Sequence, residues 1–417
     1  MSVKADPCSQ PSLMHPDQAI PLLLEQVSPV SDTEVVPLPH ALGRVLAEDL
    51  ASCIDLPPFD NSSMDGYAFC FADLNTQTNR TSLRLIGSAF AGHGFEGKAK
   101  ANTCVRIMTG APVPVGYDTV QMQEETEVQG ELVLINHPKG KGANVRCKGE
   151  ELTQGTKVLT AGTQIGAAEL GVLATIGVSQ VRVYRQLKVA FFSTGDELRP
   201  VGSELAPGQI YDSNRYSIQG LLSRANVEWI DLGVIADDPE AIRQAFRTAA
   251  SQADMVLTSG GVSVGEADFT KQILDEEGKI TFWKLAIKPG KPFAMGRIGK
   301  AVFCGLPGNP VSSMVTFYKL VWPILNKMQG LTPVAPLMLD AILTTPIRKH
   351  PGRVEYQRGV LSRNPQGELE VAITGSQGSG MLTSMSLANC FVILEQSQGD
   401  TPAGSKVTVE PFNTVLC

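Results

Sequence analysis

Several stretches of this 417-residue chain combine residue types that chemistry uses. In TSGGVSVGEAD, residues 258–268, Gly260, Gly261 and Gly265 let backbone N–H groups approach an anion, because glycine carries no Cβ. Asp268 closes that stretch at an expected helix start, so a tight turn with a helix cap is the competing interpretation. In STGDEL, residues 193–198, Asp196 and Glu197 follow an apolar run, and two carboxylates buried without partners would be costly. Glu197 could hold Mg²⁺ or accept a proton. The same pair equally suits a helix start, where the dipole favours an acid by ~0.3–1 kcal/mol. WKLAIKPGKPFAMG, residues 283–296, gathers Lys284, Lys288 and Lys291, and even spacing on a strand would point Lys284 and Lys288 to one face. At ~4 Å and an effective dielectric of about 20, each charge pair there offers on the order of 4 kcal/mol before desolvation. GLPGNP, residues 305–310, could cradle a phosphate at a helix start or serve simply as a strand-to-helix turn. FDNSSMDGYA (59–68) and RIMTGAP (106–112) are polar loops, each compatible with ordinary turn chemistry.

These segments need elements to position them. LKVAFFS (187–193), VEWIDLGVI (227–235), DMVLTSGG (254–261), ITFWKLAI (280–287) and AVFCGLP (301–307) read as strands. Helices are expected at 214–224, after Asp238–Pro239, from Asp268 to Glu277, and from Asn309–Pro310 to about Met328. Alternating strands and helices imply a parallel, three-layer sheet, in which ligands bind beyond the carboxyl ends of the strands. The glycine, acid and lysine motifs all follow strands. Ahead of this region, helices are expected at 18–28, 40–51 and 165–176, and short β-branched runs between Leu83 and Cys147 imply an inserted strand-rich domain. After Leu331, alternation at Leu369, Val371 and Ile373, with FVILE and KVTVEPF, suggests a small all-β domain. The expected division is 1–52 with 148–186, then 53–147, 187–330 and 331–417.

Composition narrows the function classes. Net charge is −7 and charged residues make up 18%, so a nucleic-acid binder is disfavoured and an anionic substrate needs local basic groups. The N-terminal stretch lacks the apolar core of a signal peptide, and no run of about 18 apolar residues occurs. Eight scattered cysteines suit reduced thiols and a cytoplasmic location. With five histidines and no helical His pair, any metal would be a hard ion on carboxylates.

Taken in order, PPFDNSSMDGYA, RIMTGAPVP, STGDEL, GQIYDSN, VLTSGGVSVGEADFTK, FWKLAIKPGKPFA, GLPGNPVSS and GSQGS resemble the MoeA family of molybdopterin molybdenumtransferases, over nearly the whole chain. The resemblance implies a multidomain α/β plus β protein: a MogA-like three-layer α/β domain, an inserted β-rich domain and a C-terminal β-barrel-like domain. It also implies a homodimer whose cleft joins this α/β domain to the partner's inserted domain. The implied reaction takes adenylyl-molybdopterin and molybdate to molybdenum-molybdopterin and AMP. Carried over by motif, the catalytic set is Asp65, Thr109, Glu197, Asp237, Asp268, Lys284, Lys288, Arg358 and Ser379, with Glu197 and Asp268 on Mg²⁺. The loops implied to contact pterin and phosphates contribute Thr194, Gly195, Ser259, Gly260, Gly261, Gly265, Pro307, Gly308 and Pro310. A MogA-type adenylyltransferase and molybdoenzyme chaperones are the implied protein partners. The chain departs from the family at Gly149-Glu150-Glu151, where relatives often carry Gly-Glu-Asp, so no role is assigned there. Two other classes stay open: a MogA-like adenylyltransferase, which would consume ATP, and a non-enzymatic scaffold, against which the retained lysines and acids argue.

Overall fold

The computed structural model of the chain describes residues 13–75, 77–261 and 269–412. At its centre is a six-stranded sheet. The strand Lys188–Thr194 is buried from Val189 onward, as a central strand covered on both faces must be. Alternation divides its side chains between two cores. Val189 and Phe191 pack with Ile218, Leu221 and Leu222 of the helix Ser213–Arg224. Ala190 and Phe192 pack with Ile242, Phe246 and Ala249 of the helix Pro239–Gln252. The Asp238 carboxylate caps that second helix by accepting from the Ala241 N–H at 2.8 Å, and Pro239 occupies its first turn.

Glu228–Ile235, Lys188–Thr194, Met255–Ser259 and Ala301–Leu306 run parallel, in that order. The expectation of an all-parallel sheet fails at the last two strands. Pro292–Ile298 lies antiparallel to Ala301–Leu306, and Gly278–Lys284 antiparallel to Pro292–Ile298. A two-residue turn at Gly299-Lys300, with Gly299 at φ +57, folds the first of these pairs back without a helix between them, and the short connection 285–291 does the same for the second. Two reversals restore the original direction. Thr194, Ser259, Leu306 and Lys284 therefore all end at the same edge of the sheet.

The long helix expected after Asn309 forms as Pro310–Thr316, a π turn Phe317–Val321, and Trp322–Met328. Pro323 accounts for the widened turn, because its ring carries no N–H for the Lys319 carbonyl and crowds it.

The strand expected across 280–287 is interrupted. The chain leaves the central sheet after Lys284, and Leu285 and Ala286 are fully buried. Ile287–Lys288 then joins a different sheet, alongside Val354–Arg363. Lys284 and Lys288 therefore do not share a strand face. The C-terminal sheet closes on itself: Val354–Arg363 pairs with both Leu369–Ile373 and Cys390–Leu394, and Leu339–Leu343 and Lys406–Pro411 complete the ring as a five-stranded barrel.

Residues 66–136 form another six-stranded sheet, and Thr33–Pro37 pairs with Gln180–Tyr184. The helix expected over 40–51 is absent. Gly43, at φ +77, turns the backbone, and Val45 and Leu46 bridge to Gln164 and Val183 instead. Ala167–Thr175 is helical, in keeping with the expectation for 165–176. Among the described residues no helix is long and apolar enough to cross a membrane.

Candidate functional site

At the carboxyl edge of the central sheet three loops meet through their backbones. After Thr194 the chain passes Gly195 at φ +148, where a Cβ would lie 2.7 Å from a Glu197 carboxylate oxygen. Only glycine lets that acid fold back over the turn. Gly260 follows the neighbouring strand at φ +93, and a Cβ there would meet the Thr194 carbonyl at 2.8 Å. Gly261 also has a positive φ, +67. A Cβ on Gly308 would reach the Gly260 Cα at 4.0 Å, so the loop after Ala301–Leu306 closes on the same spot.

The clasp between these loops is Asn214, 8% exposed on the helix Ser213–Arg224. Its Nδ2 donates to Ser259 Oγ and to the Gly308 carbonyl, both at 2.6 Å. The Gly308 carbonyl can only accept, so the amide orientation is set. Asn214 was not among the residues singled out from the sequence. The available signal was an amide two residues after a cap, inside GQIYDSN.

Carboxylates gather beside this backbone cradle. The Asp237 N–H donates to Asp196 Oδ1 at 3.3 Å, joining the loops after two adjacent strands. The Asp237 carboxyl is held above its usual range by burial first, then by the negative charges of Asp196 and Glu197. Such acids suit a hard divalent cation, which would relieve their mutual repulsion. Among the described residues, however, no three His, Cys, Asp or Glu side chains converge closely enough to form a metal site. Gly265 and Asp268 lie outside the described residues, so Asp268 as second metal ligand and Gly265 as phosphate contact have no structural account here.

The barrel docks against the same rim. Pro310 is the first residue of its helix, just after Pro307 and Gly308, and Asn309 makes no side-chain cap. The Val311 N–H instead donates to the Ser379 carbonyl at 3.0 Å. Arg358 braces the loop that carries Ser379. Its Nη2 donates to the Gly378 carbonyl at 3.1 Å, its Nε to Ser384 Oγ at 2.9 Å, and its backbone N–H to Gln377 Oε1 at 2.8 Å. At 1% exposure the guanidinium faces protein, and burial brings its pKa down to about 10. Lys284 stands exposed at the sheet edge. Lys288 is half-exposed and pairs with the buried Glu355 at 2.9 Å.

Asp65 and Thr109 meet each other. Asp65 Oδ1 accepts from the Thr109 N–H at 2.7 Å and from its hydroxyl at 2.8 Å. These two bonds, the backbone one first, hold the Asp65 carboxyl below its usual value, with help from the Arg106 charge. Arg106 lies over the Tyr67 ring and bonds to Gln123, whose N–H donates to the Asp65 carbonyl. Among the described residues no hydrogen bond or ion pair joins this group to the rim of the central sheet.

Comparison with known proteins covers nearly the whole length. Residues 14–177 match the family model for the MoeA N-terminal region (domain I and II), residues 190–327 that for a probable molybdopterin binding domain, and residues 340–412 that for the MoeA C-terminal region (domain IV). A molybdopterin molybdenumtransferase of Haemophilus influenzae is 47% identical over 403 residues, spanning 96% of this chain and 99% of that one. One from Nostoc is 36% identical over 93% of this chain and 90% of its own. Gephyrin of Dictyostelium discoideum is 33% identical over 94% of this chain and 61% of its own. The crystal structure of a molybdopterin biosynthesis moeA protein from Pyrococcus horikoshii OT3 superposes with a TM-score of 0.82 at 29% identity, covering 96% of this chain and all of that one.

Proposed function

The chain belongs to the MoeA family of molybdopterin molybdenumtransferases, and from that premise we propose how its residues divide the work. It is a transferase of molybdenum cofactor biosynthesis that acts by molybdenum insertion. The finer reading is that adenylyl-molybdopterin and molybdate are the substrates, and that AMP leaves as molybdenum enters the dithiolene.

The observation that carries this reading is the meeting of Thr194-Gly195, Ser259-Gly260 and Pro307-Gly308 around the buried Asn214 amide. With no Cβ on Gly260 or Gly308, the loop backbones there stay open to the approach of pterin and phosphate oxygens. Gly261 and Pro310 extend the same surface, and the family resemblance adds Gly265 to the phosphate contacts. Glu197, with Asp237 near it and Asp268 added by the family resemblance, would hold Mg²⁺, which would supply charge neutralisation across the pyrophosphate. Lys284 and Lys288 attract molybdate, and Ser379 lines its site. Arg358 acts through the loop that it braces. Loss of an oxo group as water needs protons, which a neighbouring acid or lysine relays.

Asp65 and Thr109 fit this scheme as a contribution from a second copy, their short hydrogen bonds keeping the Asp65 carboxylate ionised. The reading therefore includes a homodimer, a cytoplasmic location, supply of substrate by a MogA-type adenylyltransferase, and delivery to molybdoenzyme chaperones. Domains divided at 1–52 with 148–186, 53–147, 187–330 and 331–417 belong to the same reading.

The test is AMP release by the purified protein supplied with adenylyl-molybdopterin and Mg²⁺, with and without molybdate. Molybdate-dependent release is expected. Consumption of ATP with free molybdopterin, or release indifferent to molybdate, would overturn the assignment.

A further inference from the structure

We propose that Glu355 is a positioning residue for oxyanion capture, its buried carboxylate holding the Lys288 ammonium in place for molybdate. The inference rests on the role given to Lys288 above. Glu355 lies on the barrel strand Val354–Arg363 and is 4% exposed. Its Oε1 accepts from Lys288 Nζ at 2.9 Å, and its Oε2 accepts from Gln357 Nε2 at 2.8 Å. A carboxylate this deep is strongly disfavoured without such partners, so the acid has little freedom to swing away. The backbones are coupled too, because Lys288 is the register partner of Glu355 in the short parallel pairing.

Lys288 itself is 45% exposed. A free lysine on a turn would sample many rotamers and lose that freedom on gripping an anion. An ammonium carries three N–H donors. Glu355 takes one, and among the described residues Lys288 has no other hydrogen-bond partner, which leaves two for an incoming oxyanion.

A counter-charge that merely masked Lys288 would weaken anion binding, and Lys349 argues against that alternative. Lys349 is 3% exposed, donates to the Gln398 carbonyl at 2.7 Å, and lies within electrostatic reach of both Glu355 and Lys288. Its positive charge offsets that of Glu355 at a distance, while the orienting hydrogen bond to Lys288 remains.

The experiment measures KM for molybdate and for adenylyl-molybdopterin in the full chain carrying Glu355→Gln, Lys288→Ala, or both. Glu355→Gln is expected to raise the molybdate KM about tenfold, the worth of one charge-assisted hydrogen bond, with the KM of the second substrate close to wild type. In the Lys288→Ala background it should add nothing, and Glu355→Asp should recover part of the loss. An unchanged or lowered molybdate KM in Glu355→Gln, or an equal rise without Lys288, overturns the proposal. If Lys288→Ala leaves the molybdate KM untouched, the parent reading falls as well; if only Glu355→Gln is silent, this inference falls alone. Should Glu355→Gln not fold, Gln357→Met, which frees Oε2, is expected to shift the molybdate KM in the same direction by less, and no shift overturns the proposal.

Discussion

The rim of the central sheet and the junction between that sheet and the barrel both handle charge, by opposite means. At the rim the loops meet through glycine backbones at Gly195 and Gly260 and through an asparagine amide bridging a hydroxyl and a carbonyl, while the acids Asp196, Glu197 and Asp237 crowd beside them with no matching cation among their described partners. At the junction, ionised groups are buried and matched. Lys319, in the π turn, is paired with Glu410 of the barrel, and its ammonium lies 4.8 Å from the Tyr356 ring centre and 5.2 Å from that of Tyr318. Lys288 and Glu355 form a second pair, in which only the acid is buried. A neutral backbone cradle depends on steric room, so its weak points are added atoms. A buried pair depends on both members, because desolvation penalises whichever is left alone.

The sharpest way to break the comparison is at Lys319 and Glu410, whose side chains are 11% and 2% exposed. Glu410→Ala should destabilise the protein by about 3–5 kcal/mol, read by denaturant unfolding. Lys319→Met combined with Glu410→Leu should cost far less. Equal losses from the single and double replacements would mean that packing, rather than charge, holds the junction.

At the rim the corresponding injury is one methyl group. Gly195→Ala should displace Glu197 and reduce molybdenum insertion on the order of a hundredfold, the effect of misplacing a group by about 1 Å. Backbone strain at φ +148 should also lower stability by about 1–3 kcal/mol, so activity is compared at a temperature where both proteins are folded. Full activity would show that the close approach of Gly195 and Glu197 is dispensable.

Asp237 makes a smaller and opposite contrast, since its environment disfavours its charge. A carboxyl raised in the folded state costs stability above that raised value, and the cost disappears below the unfolded value near 3.8. Asp237→Asn should therefore raise Tm at pH 7 by about 1 °C and give no gain at pH 3, while activity falls. A stabilisation that persists at pH 3 would point to packing instead.

The smallest effect concerns Asp65, which is lowered in the folded state. Its contribution to stability is present above the unfolded value of 3.8 and is lost as pH falls through the lower folded value. Thr109→Val removes the hydroxyl but keeps the N–H, the larger cause, so the Asp65 carboxyl should titrate only part of the way back toward 3.8. Carboxyl-detected NMR reads this directly, and no upward movement would remove the hydroxyl from the account.

Local physics was legible in the sequence alone. The buried run 189–194, the Asp238–Pro239 helix start and the glycine turns after strands depend on neighbours in the chain, so composition and period reveal them. The run of motifs likewise marked the family. Tertiary structure decided the rest. It separated Lys284 from Lys288 into two sheets, closed the barrel, turned two strands antiparallel, and joined Lys288 to Glu355 across 67 residues and Lys319 to Glu410 across 91. Which sheet a strand joins, and which charge finds which partner, follow from the burial of faces against one another. That energy belongs to pairs far apart in the chain, and no local pattern of residue types records it.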